Sequence, residues 1–259
     1  MSTIEVIRNG HILEITMNNP PANAINEQAS RDLDTAFNLL RDDDDLRVAI
    51  VTAAGERFFT GGWDMKAVAA GDENEEDFGS GGFMGLTERY DLNKPVIVAV
   101  NGIAAGGGFE ISLAADIVIA ERHAQFILPE TIRGFIPEAG GVIRAIRRLP
   151  HNLAIELLIT GRRLGAEEGH RVGFVNHLVE QGQAMAKARE IAASIMESAP
   201  LAVGAVLEVA AATEGASERD AFDIMRSGLP TFTRMRNSKD RDEGPRAFVE
   251  KRKPNWTGQ

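Results

Sequence analysis

The sequence predicts an α/β fold of repeated strand, glycine-turn and helix units, followed by a mostly helical second half. Three observations predict it. Short aliphatic runs alternate with helical periodicity through the first 140 residues, glycine-rich turns follow two of those runs, and strand signals nearly vanish afterwards.

In chain order, Ile12 to Met17 reads as a strand, and the segment after Asn26 repeats Ala29, Leu33, Phe37 and Leu40 at helical spacing. Arg47 to Ala53 is a short apolar strand, and the Gly61-Gly62 turn leads into a helix from Asp64. Residues 71–82, GDENEEDFGSGG, are acidic and glycine-rich, too polar to pack, and read as a mobile loop. Val96 to Val100 is the next strand, followed by Asn101 to Gly108 with four glycines, a helix through Glu110 to Ala115 and a strand at Ile117 to Ala120. Helices are expected at Val142 to Leu149, Leu153 to Ile159, Ala184 to Met196, Leu201 to Ala212 and Glu218 to Met225, with one late strand at Phe174 to Val179. The four aspartates Asp42 to Asp45 read as a solvated helix end or turn.

Composition narrows the function. With 259 residues, 44% hydrophobic and 25% charged, the chain can bury a sizeable core, and one main domain is the default. A net charge of −10 argues against nucleic acid and anionic membrane surfaces as partners, so an anionic ligand needs a local basic site. The absence of cysteine removes disulfides, thiol nucleophiles and thiolate ligands. The N-terminus has no apolar signal core and no aliphatic run approaches the roughly 18 residues of a membrane span, which predicts a cytoplasmic protein. His11, His123, His151, His170 and His177 are scattered, so no metal is expected. GxSxG, GxxxxGK[ST] and GxGxxG are all missing, which removes the mechanical parts of serine hydrolases, P-loop proteins and dinucleotide folds.

What remains is glycine turns and carboxylates, concentrated between Asn101 and Gly141. Gly106-Gly107-Gly108 opening a helix presents backbone N–H groups at the positive end of a helix dipole, suited to a developing oxyanion; it also reads as a packing turn. Glu110 and Glu130 are candidate acids, with rival readings as a dipole partner and a solvent-facing loop acid. Glu138, in IPEAGG, reads either as a cap of the following helix or as a third carboxylate in the site.

Taken together, PPANAI from Pro20, FTGGWD from Phe59, NGIAAGGGFE from Asn101, LPE from Leu128, IPEAGG from Ile136, Thr160-Gly161 and EGPRAFVEK from Glu243 resemble the crotonases, the enoyl-CoA hydratases and isomerases. The resemblance covers nearly the whole chain. Within the family, Gly61 to Lys66, the Asp77 to Glu88 loop, Gly161-Arg162-Arg163 and Gly165 to Glu168 look like those of its carnitinyl-CoA branch. The resemblance implies a crotonase-like spiral of ββα units over 1–195, and a helical region over 196–259 used for trimerisation. It implies an acyl-CoA substrate, hydro-lyase chemistry without a cofactor beyond the CoA moiety, and a homotrimer or a hexamer of two trimers. A generic enoyl-CoA hydratase or isomerase is the second reading, and a non-catalytic acyl-CoA or RNA-binding module a third.

By position, the resemblance assigns the N–H groups of Trp63 and Gly107 to an oxyanion hole and makes Glu110 and Glu130 the catalytic acids. Ala22, Ala24 and Lys66 match the CoA cleft, and Phe248 and Lys251 match residues that reach a neighbouring subunit's adenine and phosphate. Where the family has a lysine in the first segment this chain has Pro21, and that contact is not carried over. Lys239 to Lys253 supplies six basic residues against four acids, the local cations an anionic CoA needs. Glu138, Phe83 and Phe135 are the candidates for the acyl-tail pocket.

Overall fold

The computed structural model describes residues 2–65 and 78–259. Lys66, the body of the helix expected from Asp64 and residues 71–77 of the acidic loop lie outside the described residues.

The chain begins with an antiparallel hairpin of β1 (Ile4–Asn9) and β2 (Ile12–Met17). Sequence patterning missed β1 because only Ile4 of its six residues is buried, so no apolar alternation marks it. Helix α1 (Glu27–Asp42) starts where the Asn26 side chain accepts a hydrogen bond from the Ala29 N–H, and buries Ala29, Leu33, Ala36, Phe37 and Leu40 along one face. The aspartate run after it forms the helix end, with Arg8 paired to Asp43 and Asp45.

From there consecutive strands alternate between two sheets. β3 (Val48–Ala53), β5 (Val96–Val100), β7 (Ile117–Glu121) and β10 (His177–Val179) extend the first hairpin into a six-stranded sheet of order β1-β2-β3-β5-β7-β10, parallel from β2 onward. β4 (Phe58–Thr60), β6 (Ile103–Ala105) and β8 (Gln125–Ile127) pair in parallel in a second sheet, closed by antiparallel β9 (Leu164–Gly165). Each turn of the chain thus lays one strand in each sheet, which is the spiral expected. The three-residue strands are too short to show a period, and β6 lies inside the segment read as a glycine turn.

All six residues of β3 and all five of β5 are buried because both faces of the large sheet are covered. On one face lies the main core with α1. On the other, Val48, Ile50, Ile97, Ala99 and Ile119 meet α6 (Ala184–Met196) through Ala184, Ala188 and Ala192, whose spacing of four brings the helix backbone close to the sheet.

The second half is helical as expected: α2 (Gly107–Ala114) still belongs to the spiral, then come α3 (Gly141–Arg148), α4 (His151–Thr160), α5 (Ala166–Arg171), α6, α7 (Pro200–Thr213), α8 (Glu218–Arg226), α9 (Pro230–Arg236) and α10 (Lys239–Val249). Among the described residues no single helix is long and apolar enough to cross a membrane. The strand expected at Phe174 to Val179 covers only its last three residues, because Phe174 and Val175 are drawn into the core as a loop. The acidic loop is also corrected in its described part. Residues 78–82 pack against α1: the Gly81 N–H and the Ser80 hydroxyl donate to the Asp34 carboxylate, and Gly81 is buried.

Candidate active site

Strand β6 ends at Ala105, where Gly106 turns at φ +51° and α2 begins, so the first-turn N–H groups of Gly107 and Gly108 have no partner within the helix. Glu110 follows one turn later and is 4% exposed. Its Oε1 accepts a 2.9 Å hydrogen bond from the Gly141 N–H at the start of α3. Burial pushes the Glu110 carboxyl up to about 7, and neighbouring Glu130 adds to the rise; the Gly141 and Ala139 amides and the Arg144 cation oppose it.

Glu130 arrives from the second sheet. After β8, Leu128 and Pro129 carry the chain into a single 3-10 turn (Thr131–Arg133), and Glu130 stands at its start, 7% exposed. Its carboxylate lies beside Gly106, and its Oε2 is buried without a hydrogen-bond partner. Burial raises this carboxyl as well, with Arg133 opposing. Two acids of raised pKa therefore share one dry region, and a buried orphan oxygen is a place for a ligand or water.

The facing turn runs beside the first segment. Gly61 N–H donates to Ala22 O, Ile25 N–H to Gly62 O and Asp64 N–H to Ile25 O, so the bridge between Ile25 and Trp63 uses the groups flanking Trp63 and not the Trp63 N–H. Gly62 has φ +81°, and a Cβ there would stand 2.6 Å from Ala105 O and 3.2 Å from Gly107 N. The two turns touch, and only glycine permits the approach.

Aromatic rings form the wall. Trp63, Phe78 and Phe83 pack mutually with ring centroids 5.3–5.5 Å apart, and the Phe83 ring lies against Gly107. Phe83 is fixed by its turn: Met84, at φ +57°, donates its N–H to the Ser30 hydroxyl of α1. Behind it Arg89, with a side chain 0% exposed, pairs with Asp34 at 2.5 Å and donates to Gly85 O, Asn38 and Asp91.

These parts enclose a cleft of about 400 Å³. Of the residues expected from sequence, Trp63, Phe83, Gly107, Glu110 and Glu130 line it, and Phe135 and Glu138 stand among its walls, both exposed. Glu138 does not cap α3, whose start at Gly140 has no side-chain cap, so that reading is corrected. Ala22 and Ala24 lie in the half-buried segment behind Gly61. Phe248, 85% exposed, and Lys251 project from the end of α10 and do not line the cleft. Sequence reasoning missed Phe78, Arg133 and Arg144; of these only the phenylalanine, an apolar residue inside a polar run, carried any signal. A second cavity of about 370 Å³, bordered by Arg47, Lys94 and Arg234, contains none of the expected site residues. No group of three or more histidine, aspartate and glutamate side chains among the described residues is placed to hold a metal ion.

A family model described as enoyl-CoA hydratase/isomerase matches residues 7–259. The chain is 49% identical over 258 residues, 99% of both chains, to a Proteus mirabilis protein named carnitinyl-CoA dehydratase. Among solved structures, enoyl-CoA hydratase from Mycobacterium tuberculosis H37Rv superposes with a TM-score of 0.92 at 40% identity, and carnitinyl-CoA hydratase from Mycobacterium avium with 0.78 at 37%, each covering the full length of both chains. With this match along almost its entire length, the chain belongs to the enoyl-CoA hydratase/isomerase family.

Proposed function

We propose that the protein is a hydro-lyase that reversibly hydrates α,β-unsaturated acyl-CoA thioesters, with L-carnitinyl-CoA and crotonobetainyl-CoA as its substrate pair. The observation that carries the chemistry is the pair of buried acids, Glu110 and Glu130, lining one cleft beneath two touching backbone turns. In this reading the thioester oxygen accepts hydrogen bonds from the Trp63 and Gly107 N–H groups, which stabilise the enolate as the α-carbon gains or loses a proton. In hydration Glu110 takes a proton from water as its oxygen bonds to the β-carbon, and Glu130 gives a proton to the α-carbon; dehydration reverses both transfers. The Gly141 bond fixes Glu110 Oε1 and so aims the carboxylate, while the unpartnered Glu130 oxygen suits a donor aimed into the cleft. Burial and mutual repulsion favour the mixed protonation state that such a pair needs.

The carnitinyl assignment is supported by the names of the relatives at 48–49% identity and by Glu138 with Phe83 and Phe135 among the cleft residues. A trimethylammonium tail cannot accept or donate a hydrogen bond and is held by carboxylate charge or an aromatic face. The likeness to the Mycobacterium tuberculosis enoyl-CoA hydratase favours a second reading, a general short-chain enoyl-CoA hydratase or isomerase. The ratio of kcat/KM for crotonobetainyl-CoA over crotonoyl-CoA separates them: well above one supports the carnitinyl assignment, and below one moves the protein to the general hydratases.

For assembly, the reading is a homotrimer or a hexamer of two trimers, in which the 196–259 region supplies subunit contacts. Exposed Phe248 and Val249 at the end of α10 support contacts by that region, and exposed Ile143, Ile146, Ile155 and Ile159 on α3 and α4, outside it, support association more broadly. Phe248 and Lys251 then serve a neighbour's CoA while Ala22, Ala24 and Lys66 serve their own. No cofactor beyond the CoA moiety takes part.

A further inference from the structure

Glu110 is held by an amide, and that amide is held by something else. The Gly141 N–H that grips Oε1 belongs to the first residue of α3, whose start is the Gly140 turn at φ +92°. Arg144, one helical turn on, donates its backbone N–H to Gly140 O and lays its guanidinium over the Gly140 Cα, where any Cβ would collide with it. The same guanidinium reaches across the cleft wall and donates Nη2 to Thr87 O at 2.6 Å. Thr87 in turn donates its hydroxyl to Phe83 O, in the turn whose ring rests on Gly107. One side chain therefore bridges the wall that carries the aromatic ring and the turn that carries the Glu110 amide.

We propose that Arg144 is a positioning residue for the hydration reaction: it fixes the Gly140-Gly141 turn against the Phe83 to Thr87 turn, and so sets both the aim of the Glu110 carboxylate and its charge state. The proposal rests on the acid–base reading of Glu110 above. Among the described residues the charged groups around that carboxylate are few. Glu130 faces it from the 3-10 turn with Arg133 two residues beyond the turn's start, Glu138 is in the same loop as Gly141, and Arg144 is the cation on α3; Arg89, behind the aromatic turn, is engaged with Asp34. Arg144 is thus placed to favour the ionised form of Glu110, against burial and Glu130.

The test uses full-length protein labelled with carboxyl-13C glutamate, in which the resonance lost in Glu110→Gln identifies Glu110. In Arg144→Met the Glu110 midpoint rises, and the acidic limb of kcat/KM moves up with it. In Arg144→Lys the charge, the midpoint and the backbone bond to Gly140 O stay, but an ammonium cannot both cover the Gly140 Cα and donate to Thr87 O as the planar guanidinium does, so kcat falls roughly 10-fold while the melting temperature is kept. An unmoved Glu110 midpoint in folded Arg144→Met overturns the proposal. Should that variant not fold, Arg144→Lys decides alone, and wild-type kcat in it overturns the proposal. Full turnover in Glu110→Gln sinks the acid–base reading, whereas the NMR midpoint still reports what Arg144 does to the carboxyl.

Discussion

Replacing Glu110 by glutamine should slow hydration by orders of magnitude and at the same time make the protein more stable at alkaline pH, and the second effect has a calculable size. The folded carboxyl is raised from 4.5 to about 7, chiefly by burial. A raised carboxyl binds its proton more tightly in the folded chain than in the unfolded one, so folding is favoured while the proton is on and loses free energy as pH climbs from the unfolded value through the folded one. Most of the rise from 4.5 to about 7 is expressed between pH 5 and pH 8, which at 1.36 kcal/mol per pH unit is about 2–3 kcal/mol. Glutamine fills the same volume and still accepts from the Gly141 N–H, but has no proton to lose. Denaturant unfolding of wild type and Glu110→Gln at the two pH values, at one protein concentration, measures the effect. The variant should gain about 2–3 kcal/mol relative to wild type on going from pH 5 to pH 8, with turnover down by about 10²–10⁴. Equal relative stability at both pH values would show that no proton is held there, and the drying of the cleft would have to be abandoned as the source of its acid.

Three further outcomes follow from the same geometry. Glu130→Gln should lower the hydration rate by about 10²–10⁴ while leaving acyl-CoA binding nearly unchanged, read by turnover and by equilibrium titration with a product; wild-type turnover would remove Glu130 from the mechanism. Glu138→Gln should collapse the kcat/KM preference for crotonobetainyl-CoA over crotonoyl-CoA while crotonoyl-CoA turnover holds, because a solvent-exposed carboxylate contributes through charge and not through packing; an unchanged ratio would make it a loop acid. Lys251→Ala should raise KM for every acyl-CoA alike without altering kcat, and the wild type should sediment well above 28.0 kDa; a fully active monomer would end the proposed sharing of CoA between subunits.

How much of this was legible follows from what each residue has to do. The alternating strand and helix periods, and the glycines that open α2, are local requirements, so α1, β3, β5, β7 and α6 stand within a residue or two of where patterning puts them. Glu110 and Glu130 were readable as acids within family motifs, and Trp63 as a turn residue, yet nothing local tells that β6 and β8 bring them to one cleft. Strand β1 escaped because only Ile4 is buried and its apolar residues do not alternate, and β4, β6 and β8 because three residues hold no period. Arg144 escaped for a different reason: an arginine on a surface-like helix carries no mark of the carbonyl it will reach 57 positions away.

The described end of the loop that looked too polar to pack, residues 78–82, leads into the turn on which the chemistry depends. A carboxyl near 7 requires that water be kept from it, and the rings of Phe83, Phe78 and Trp63 provide the apolar side of the cleft. Phe83 can stand there only if its turn is rigid, and buried Met84 and Leu86 tie that turn into the core. An ion pair supplies the second anchor. Asp34 accepts from Arg89, Gly81, Ser80 and Asn38, and Arg89 spends its remaining donors on Gly85 O, Asn38, Asp91 and the Asp34 carbonyl. A buried ion pair is tolerable when every lone pair and proton is matched in this way, and removing one partner typically costs about 3–5 kcal/mol. The glycines at 79, 81, 82 and 85 let the backbone wrap that pair closely enough to match it. A glycine-rich turn is therefore what an aromatic wall needs when it is built on a loop: among the described residues its backbone closes on the buried Arg89–Asp34 pair, and the order this secures is felt on the other side of the ring, at Glu110.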